Sequence, residues 1–280
     1  MKKGKFIAVA LSALLTLSLA ACGSGSGGTS NSDGDGGVIK VKLGVVGENY
    51  DHWTRIAENL AEEGIEIEIV KFSDYTLPNQ ALNDGDIDLN AFQHYAFLEN
   101  EINDKGLELT VIGETIIAPL GLYSDKIDSV DEIKDGDKIA IPSDATNGGR
   151  ALKVLESTGL ITVDPKAGYT PEVSDIIDNP LNLEIIQVEA AQTPSLLPDV
   201  AAAIINGGHA VDHGLNPEAD SIYLEEVSGE SDNPYINILV ARTSDKDNEV
   251  YLRIVEALQT DEIAEVISEA YNGAYLPAWK

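Results

Sequence analysis

The 280-residue chain has a single cysteine, Cys22, so no intramolecular disulfide can form and stability must come from the core. Positive charge is scarce. Lys and Arg number 18 against 48 Asp and Glu, a formal net charge of −30. Such a chain repels polyphosphates and anionic headgroups, which excludes nucleic-acid binding. Signatures of catalysis are missing as well. There is no Gly-x-Ser-x-Gly elbow and no P-loop, and Gly44-Val45-Val46-Gly47 lacks the spacing of a dinucleotide fingerprint. These gaps point away from an enzyme. Beyond residue 21 no apolar run is long enough to cross a bilayer.

What is present begins at the N-terminus. Lys2, Lys3 and Lys5 precede an apolar run from Phe6 to Ala21, and Leu19-Ala20-Ala21-Cys22 closes it. A basic segment, an apolar segment and small residues at a cleavage site make a secretory signal. Leu-Ala-Ala-Cys resembles a bacterial lipobox, which implies cleavage before Cys22 and lipid on its sulfur and new amino group. The lipid would hold a soluble body at a membrane surface. Residues 1–21 are then signal peptide, and 259 residues remain, enough for one large domain or two lobes. Three lysines leave with the signal, which takes the charge to about −33. Residues 22–37, almost all Gly, Ser, Asn and Asp, cannot bury a core and read as a flexible tether.

After the tether, strand and helix patterns alternate. Val38–Val46 is β-rich, and Ile65, Ile67 and Ile69 alternate with polar neighbours. Trp53, Ile56, Ala57, Leu60 and Ala61 recur at helical spacing, with Asp51 as the expected cap and Gly64 as the stop. Later helices are expected at Asn79–Leu82, Tyr95–Lys105, Asn147–Ser157, Pro171–Ile177, Asn248–Gln259 and Asp261–Tyr271. Strands are expected at Ile87–Ala91, Leu107–Ile117, Leu120–Tyr123, Ile139–Ile141, Leu183–Val188, Ala201–Ile205 and Tyr235–Ala241. Alternating βαβ units predict an α/β architecture with largely parallel sheets. Ligands of such folds sit at the carboxyl ends of strands and between lobes.

Polar and aromatic clusters fall at those junctions: Phe72 to Asn79, Asn90 to Tyr95, Thr146 to Arg150, Asn206 to His209 and Asn233 to Asn237. Each has a plain structural reading, with Phe92 as core, Asn206 as a cap and Pro234 as a turn. Arg150 stands beside Gly148 and Gly149 at an expected helix start. A helix N-terminus attracts anions, a guanidinium grips a carboxylate through two parallel hydrogen bonds, and glycines permit close backbone approach. Together they suggest a carboxylate site. The alternative is an ion pair with a local Asp or Glu. His209 and His213, four apart, could share a helix face and bind metal. The plain alternative is one pocket histidine and one surface histidine.

Taken together, these segments resemble the NlpA lipoprotein family from about Val38 to Trp279. The most specific pieces are Asp74-Tyr75-Thr76-Leu77-Pro78-Asn79-Gln80-Ala81-Leu82, the run Gly85 to His94, the loop Thr146-Asn147-Gly148-Gly149-Arg150, and Pro234-Tyr235-Ile236-Asn237. The resemblance implies a two-lobed, type II periplasmic-binding-protein-like α/β fold with mixed sheets and two hinge crossings. Lobe 1 would be residues 38–118 with 237–280, and lobe 2 residues 119–236. It implies a monomer that takes L-methionine, or a closely related amino acid, between the lobes without a cofactor. It would deliver the ligand to an ABC permease and its ATPase on the extracytoplasmic face. Arg150 would pair with the ligand carboxylate. Asn206 and Asn237 would bind the polar head. Tyr75, Phe92 and His94 would line the side-chain pocket, with Asn147 nearby. The chain departs from the family at Pro142-Ser143-Asp144-Ala145-Thr146-Asn147, at Asn49-Tyr50-Asp51-His52-Trp53, and at His209, where a Tyr is usual. The last change keeps open a methionine-containing dipeptide or another amino acid. A metal-binding lipoprotein and a surface adhesin are the rival classes.

Overall fold

The computed structural model describes residues 37–227, 233–271 and 275–280. The signal peptide, Cys22 and the tether up to residue 36 lie outside the described residues.

In chain order the first elements are β1 (Ile39–Val46), α1 (Asp51–Ala61), β2 (Ile65–Phe72), α2 (Pro78–Asp84), β3 (Leu89–His94), α3 (Tyr95–Lys105) and β4 (Leu109–Ile117). Next come β5 (Leu120–Tyr123), β6 (Lys138–Pro142), α4 (Ala145–Ser157), β7 (Thr162–Val163), β8 (Ile176–Asp178), β9 (Glu184–Val188), β10 (Ala202–Asn206), α5 (Gly207–Asp212), α6 (Pro217–Asp220) and β11 (Ser221–Leu224). The chain ends with β12 (Ile236–Arg242), α7 (Glu249–Leu258), α8 (Asp261–Ala270) and β13 (Leu276–Pro277).

Two mixed sheets form, in a two-lobed α/β fold. The first has the order β13-β4-β12-β3-β1-β2 and the second β11-β5-β10-β6-β9. Each has apolar clusters of its own on both faces. On the first sheet Trp53, Ile56 and Leu60 of α1 meet Ile254 and Leu258 of α7 and Ile263 and Ile267 of α8. Leu82, Leu98 and Leu107 cover the other face. On the second sheet α4 buries Ala151, Leu152, Val154 and Leu155 against Ile139, Ile141 and Ile204. Leu197, Val200 and Ala210 close the opposite side. The chain leaves the first sheet through Ala118 and Pro119 and returns between Leu224 and Ile236.

The sheets are mixed rather than largely parallel. β1 runs parallel to β2 and β3, and β6 runs parallel to β9 and β10. β4, β5, β11 and β12, the strands flanking the two crossings, all pair antiparallel. They enter and leave each sheet without a helical crossover, and a parallel pair needs one.

Three local expectations also change. The segment Pro171–Ile177 is not a helix. Glu172 and Asp175 close a capping box around one 3₁₀ turn, and Ile176–Asp178 then pairs with Thr162–Val163. Asp51 is the first residue of α1 and Tyr50 its cap, without a side-chain bond. Asp144 caps α4 by accepting from Asn147 N–H, so the helix starts before Asn147 and Arg150 lies in its second turn.

Candidate functional site

The parallel strands deliver their ends to one place. β3 ends at His94 and β10 at Asn206, β2 runs into the turn that carries Tyr75, and β6 leads into α4 with Asn147 and Arg150. All eight residues proposed from the sequence, Tyr75, Phe92, His94, Asn147, Arg150, Asn206, His209 and Asn237, line a single cleft between the sheets. Its unfilled space, mouth included, is about 900 Å³.

One wall is aromatic. The Tyr75 ring lies 5.8 Å from Phe92, 6.0 Å from Phe97 and 4.9 Å from His209. Burial, and then Asp144, pushes the Tyr75 hydroxyl pKa far up, so it stays protonated. Phe92 and His94 belong to β3 itself rather than to a loop after it, which makes this wall rigid. β3 is braced from behind by buried amides. Asn79 donates to Gln93 Oε1 at 2.7 Å, and Asn90 donates to Asn79 Oδ1 at 2.9 Å.

The rest of the lining is polar. His94 Nδ1 accepts from Phe97 N–H at 3.1 Å, so the ring proton sits on Nε2, 3.4 Å from Asn147 Oδ1. Burial, and secondarily the Arg150 charge, lowers the His94 pKa to about 3. Asn206 Nδ2 donates to the same Asn147 oxygen at 2.7 Å. Two buried atoms on this side have no protein partner, Asn206 Oδ1 and His209 Nε2. The first turn of α5 presents both. Asn237 stands opposite His94 in the β12–β3 ladder.

Arg150 is only 2% exposed, and its fork is already occupied. Nε donates to Glu225 Oε1 at 2.9 Å, and Nη2 to Glu225 Oε2 at 2.6 Å and to the Ala118 carbonyl at 3.0 Å. The guanidinium lies 4.3 Å from the Tyr235 ring centroid. Glu225 Oε2 also accepts from Leu120 N–H at 2.8 Å. Only Nη1 is left without a protein acceptor among the described residues. The expected two-bond grip on a carboxylate is therefore spent on Glu225, because a buried guanidinium needs an anion in place. The neighbouring glycines have a different task from the one expected. A Cβ at Gly148 would lie 2.8 Å from the Pro142 carbonyl, and one at Gly149 would lie 2.7 Å from Thr170 Cα. They let α4 pack closely against other backbone.

The two histidines of the metal reading separate. His209 is buried in the cleft, whereas His213 is exposed at the end of α5. Among the described residues no group of three or more His, Cys, Asp or Glu side chains is placed to hold a metal ion.

A polar end with one free guanidinium nitrogen, beside an aromatic wall, fits a small zwitterion with an apolar side chain. A profile of the NlpA lipoprotein family spans residues 41–279. The chain belongs to the NlpA lipoprotein family. It is 40% identical over 243 residues to the D-methionine-binding lipoprotein MetQ of Escherichia coli, covering 85% of this chain and 88% of that protein. A nutrient-binding protein from Burkholderia cenocepacia, solved bound to methionine, superposes with a TM-score of 0.80 at 35% identity, over 85% of this chain and 99% of that one. Protein PG110 from Staphylococcus aureus gives 0.82 at 43% identity, over 85% and 93%. These relatives of the NlpA lipoprotein chain are binding proteins rather than enzymes wherever their names state a role.

Sequence reasoning missed Glu225 and Phe97. Glu225 is one of 48 acidic residues and carries no local signature. Phe97 sits one helical turn beyond His94, and that spacing could have revealed it.

Proposed function

We propose that this protein is a membrane-anchored solute-binding protein that captures methionine between two lobes on the extracytoplasmic face and hands it to an ABC permease and its ATPase. One observation carries the reading. The free Nη1 of Arg150 and the unpartnered Asn206 Oδ1 share a cleft with the Tyr75–Phe92 wall. Nη1 takes the ligand carboxylate, and Asn206 Oδ1, with Asn237, takes the ammonium. The thioether lies on the aromatic rings, where each sulfur–aromatic contact contributes roughly 0.3–1.5 kcal/mol. The names of the relatives support the ligand, and those relatives are named for D-methionine or for methionine without a hand.

The lobes of this proposal are residues 38–118 with 237–280, and residues 119–236. Cys22 bears the lipid, and the body works as a monomer. His209 Nε2 favours a second reading, in which a methionine-containing dipeptide or a more polar amino acid supplies its missing partner.

Mass spectrometry of small molecules released from freshly purified protein tests the proposal. Calorimetry with L-methionine, D-methionine, glycyl-methionine, leucine, glutamate and lysine follows. Methionine of either hand should bind best, and glutamate and lysine should bind far more weakly. A polar or charged amino acid that binds while methionine and its dipeptide do not would overturn it.

A further inference from the structure

One contact ties the two halves of the cleft together through three hydrogen bonds at its rim. Asp212 ends α5, one turn after His209. Its Oδ1 accepts from Glu48 N–H at 3.0 Å, from Asn49 N–H at 3.1 Å and from Asn49 Nδ2 at 2.6 Å. Glu48 and Asn49 belong to the turn between β1 and α1, on the other sheet. By contrast, the direct polar contact between the facing walls, His94 to Asn147, is a single 3.4 Å approach.

The turn is shaped for this carboxylate. Gly47 has φ +90°, a conformation that favours glycine, and a Cβ there would fall onto Asp212 Oδ2. Asn49 and Tyr50 line the cleft, and Tyr271 holds the same turn from below by donating to the Asn49 carbonyl at 3.1 Å. The turn is thus fixed to its own lobe and offers two backbone N–H groups and one amide to a residue of the other.

We infer that Asp212 is a positioning residue that latches α5 to the β1–α1 turn and sets how firmly the cleft stays shut on its ligand. The inference rests on the reading above, that a ligand is held between the lobes. Asp212 does not touch the ligand. Hydrogen bonds to a charged acceptor are stronger than neutral ones, and all three form only when the two lobes meet. They favour the closed state over the open one by that difference. They contribute nothing to the core of either lobe.

The variants Asp212→Ala and Asp212→Asn, in the otherwise intact protein, test this with L-methionine as the probe. Asp212→Ala should weaken methionine binding at least tenfold, since even one of the three lost bonds is worth about that factor. The change should lie in the off-rate measured by stopped flow, with the on-rate nearly unchanged. Asp212→Asn keeps the shape and a weaker acceptor, so it should fall between. The ligand-free melting temperature should stay within about 2 °C of wild type, because no core contact is lost. Small-angle scattering supplies a readout that needs no affinity. At equal methionine concentration Asp212→Ala should show the larger radius of gyration. A wild-type off-rate together with wild-type scattering would overturn the latch. So would a loss of affinity that only tracks a large fall in the ligand-free melting temperature. Failure of wild-type protein to bind methionine would instead strike the ligand assignment, while scattering of the ligand-free variants would still report on the latch.

Discussion

At the scale of single residues, Arg150 and Glu225 are one device. The pair is buried at 2% and 15% side-chain exposure, and it reaches Ala118 and Leu120 on the outgoing crossing as well as Glu225 on the return. Removing one partner of a buried pair leaves an uncompensated charge and costs about 3–5 kcal/mol. Arg150→Ala should therefore lose stability in urea titration as well as methionine affinity in calorimetry. Arg150→Ala combined with Glu225→Ala should recover much of the stability and none of the binding. A double-variant loss equal to the sum of the two single losses would show that the two side chains act independently. The buried histidines add a pH dependence. His52 and His94 each have a pKa lowered by burial from 6.5 to about 3. The unfolded chain takes up protons as pH falls below 6.5, while the folded chain resists until near 3. Stability is therefore full above 6.5 and is lost as pH falls through that window, by up to about 1.4 kcal/mol per pH unit per histidine. His52→Phe should flatten the slope of urea midpoint against pH between 6 and 4. An unchanged slope would mean that His52 titrates normally in the folded protein.

Among the elements, α4 decides how the polar end of the site is built. Its glycines let it approach Pro142 and Thr170 closely. Gly149→Ala should gain about 1 kcal/mol in helix propensity and lose about 1–3 kcal/mol to overpacking, so the variant should unfold at lower urea. A gain in stability would show that the 170–171 segment yields. The same helix shows what could be read in advance. Its apolar face, Ala151, Leu152, Val154 and Leu155, recurs at helical spacing and was legible. Its start was not, because Asp144 and Asn147 are both good caps and only the observed Asp144 bond decides between them. α3 and β5 matched the sequence pattern residue for residue, since His94 and Gly106 bound the helix and Leu120–Tyr123 is fully buried. The segment after Pro171 did not, because its pairing partners lie 13 and 16 residues back and leave no periodic trace. Within the site, the residue types were legible as clusters at strand ends. The occupied fork of Arg150 was not, since it depends on a carboxylate 75 positions away.

On the scale of the whole molecule, two lobes with separate apolar clusters are joined by two short crossings, and the site draws on both. A ligand that bridges them stabilises only the closed arrangement, so it links lobe closure to unfolding. Methionine at a hundredfold excess over its Kd should stabilise the protein by about 2.7 kcal/mol. Acidic charge beside the cleft adds a filter. Asp144 and Glu189 line a second pocket beside Tyr75 and Phe97, and burial, then Asp74 and Asp144, raise the Glu189 pKa. With Glu225 already offsetting Arg150, an added negative charge on the ligand finds no partner and meets repulsion. Glutamate should therefore give no thermal shift at concentrations where methionine gives its full shift. Raising the salt concentration should not rescue glutamate, because buried charges are weakly screened. A glutamate shift that appears at high salt would place the discrimination in exposed surface charge rather than at the buried Arg150–Glu225 pair.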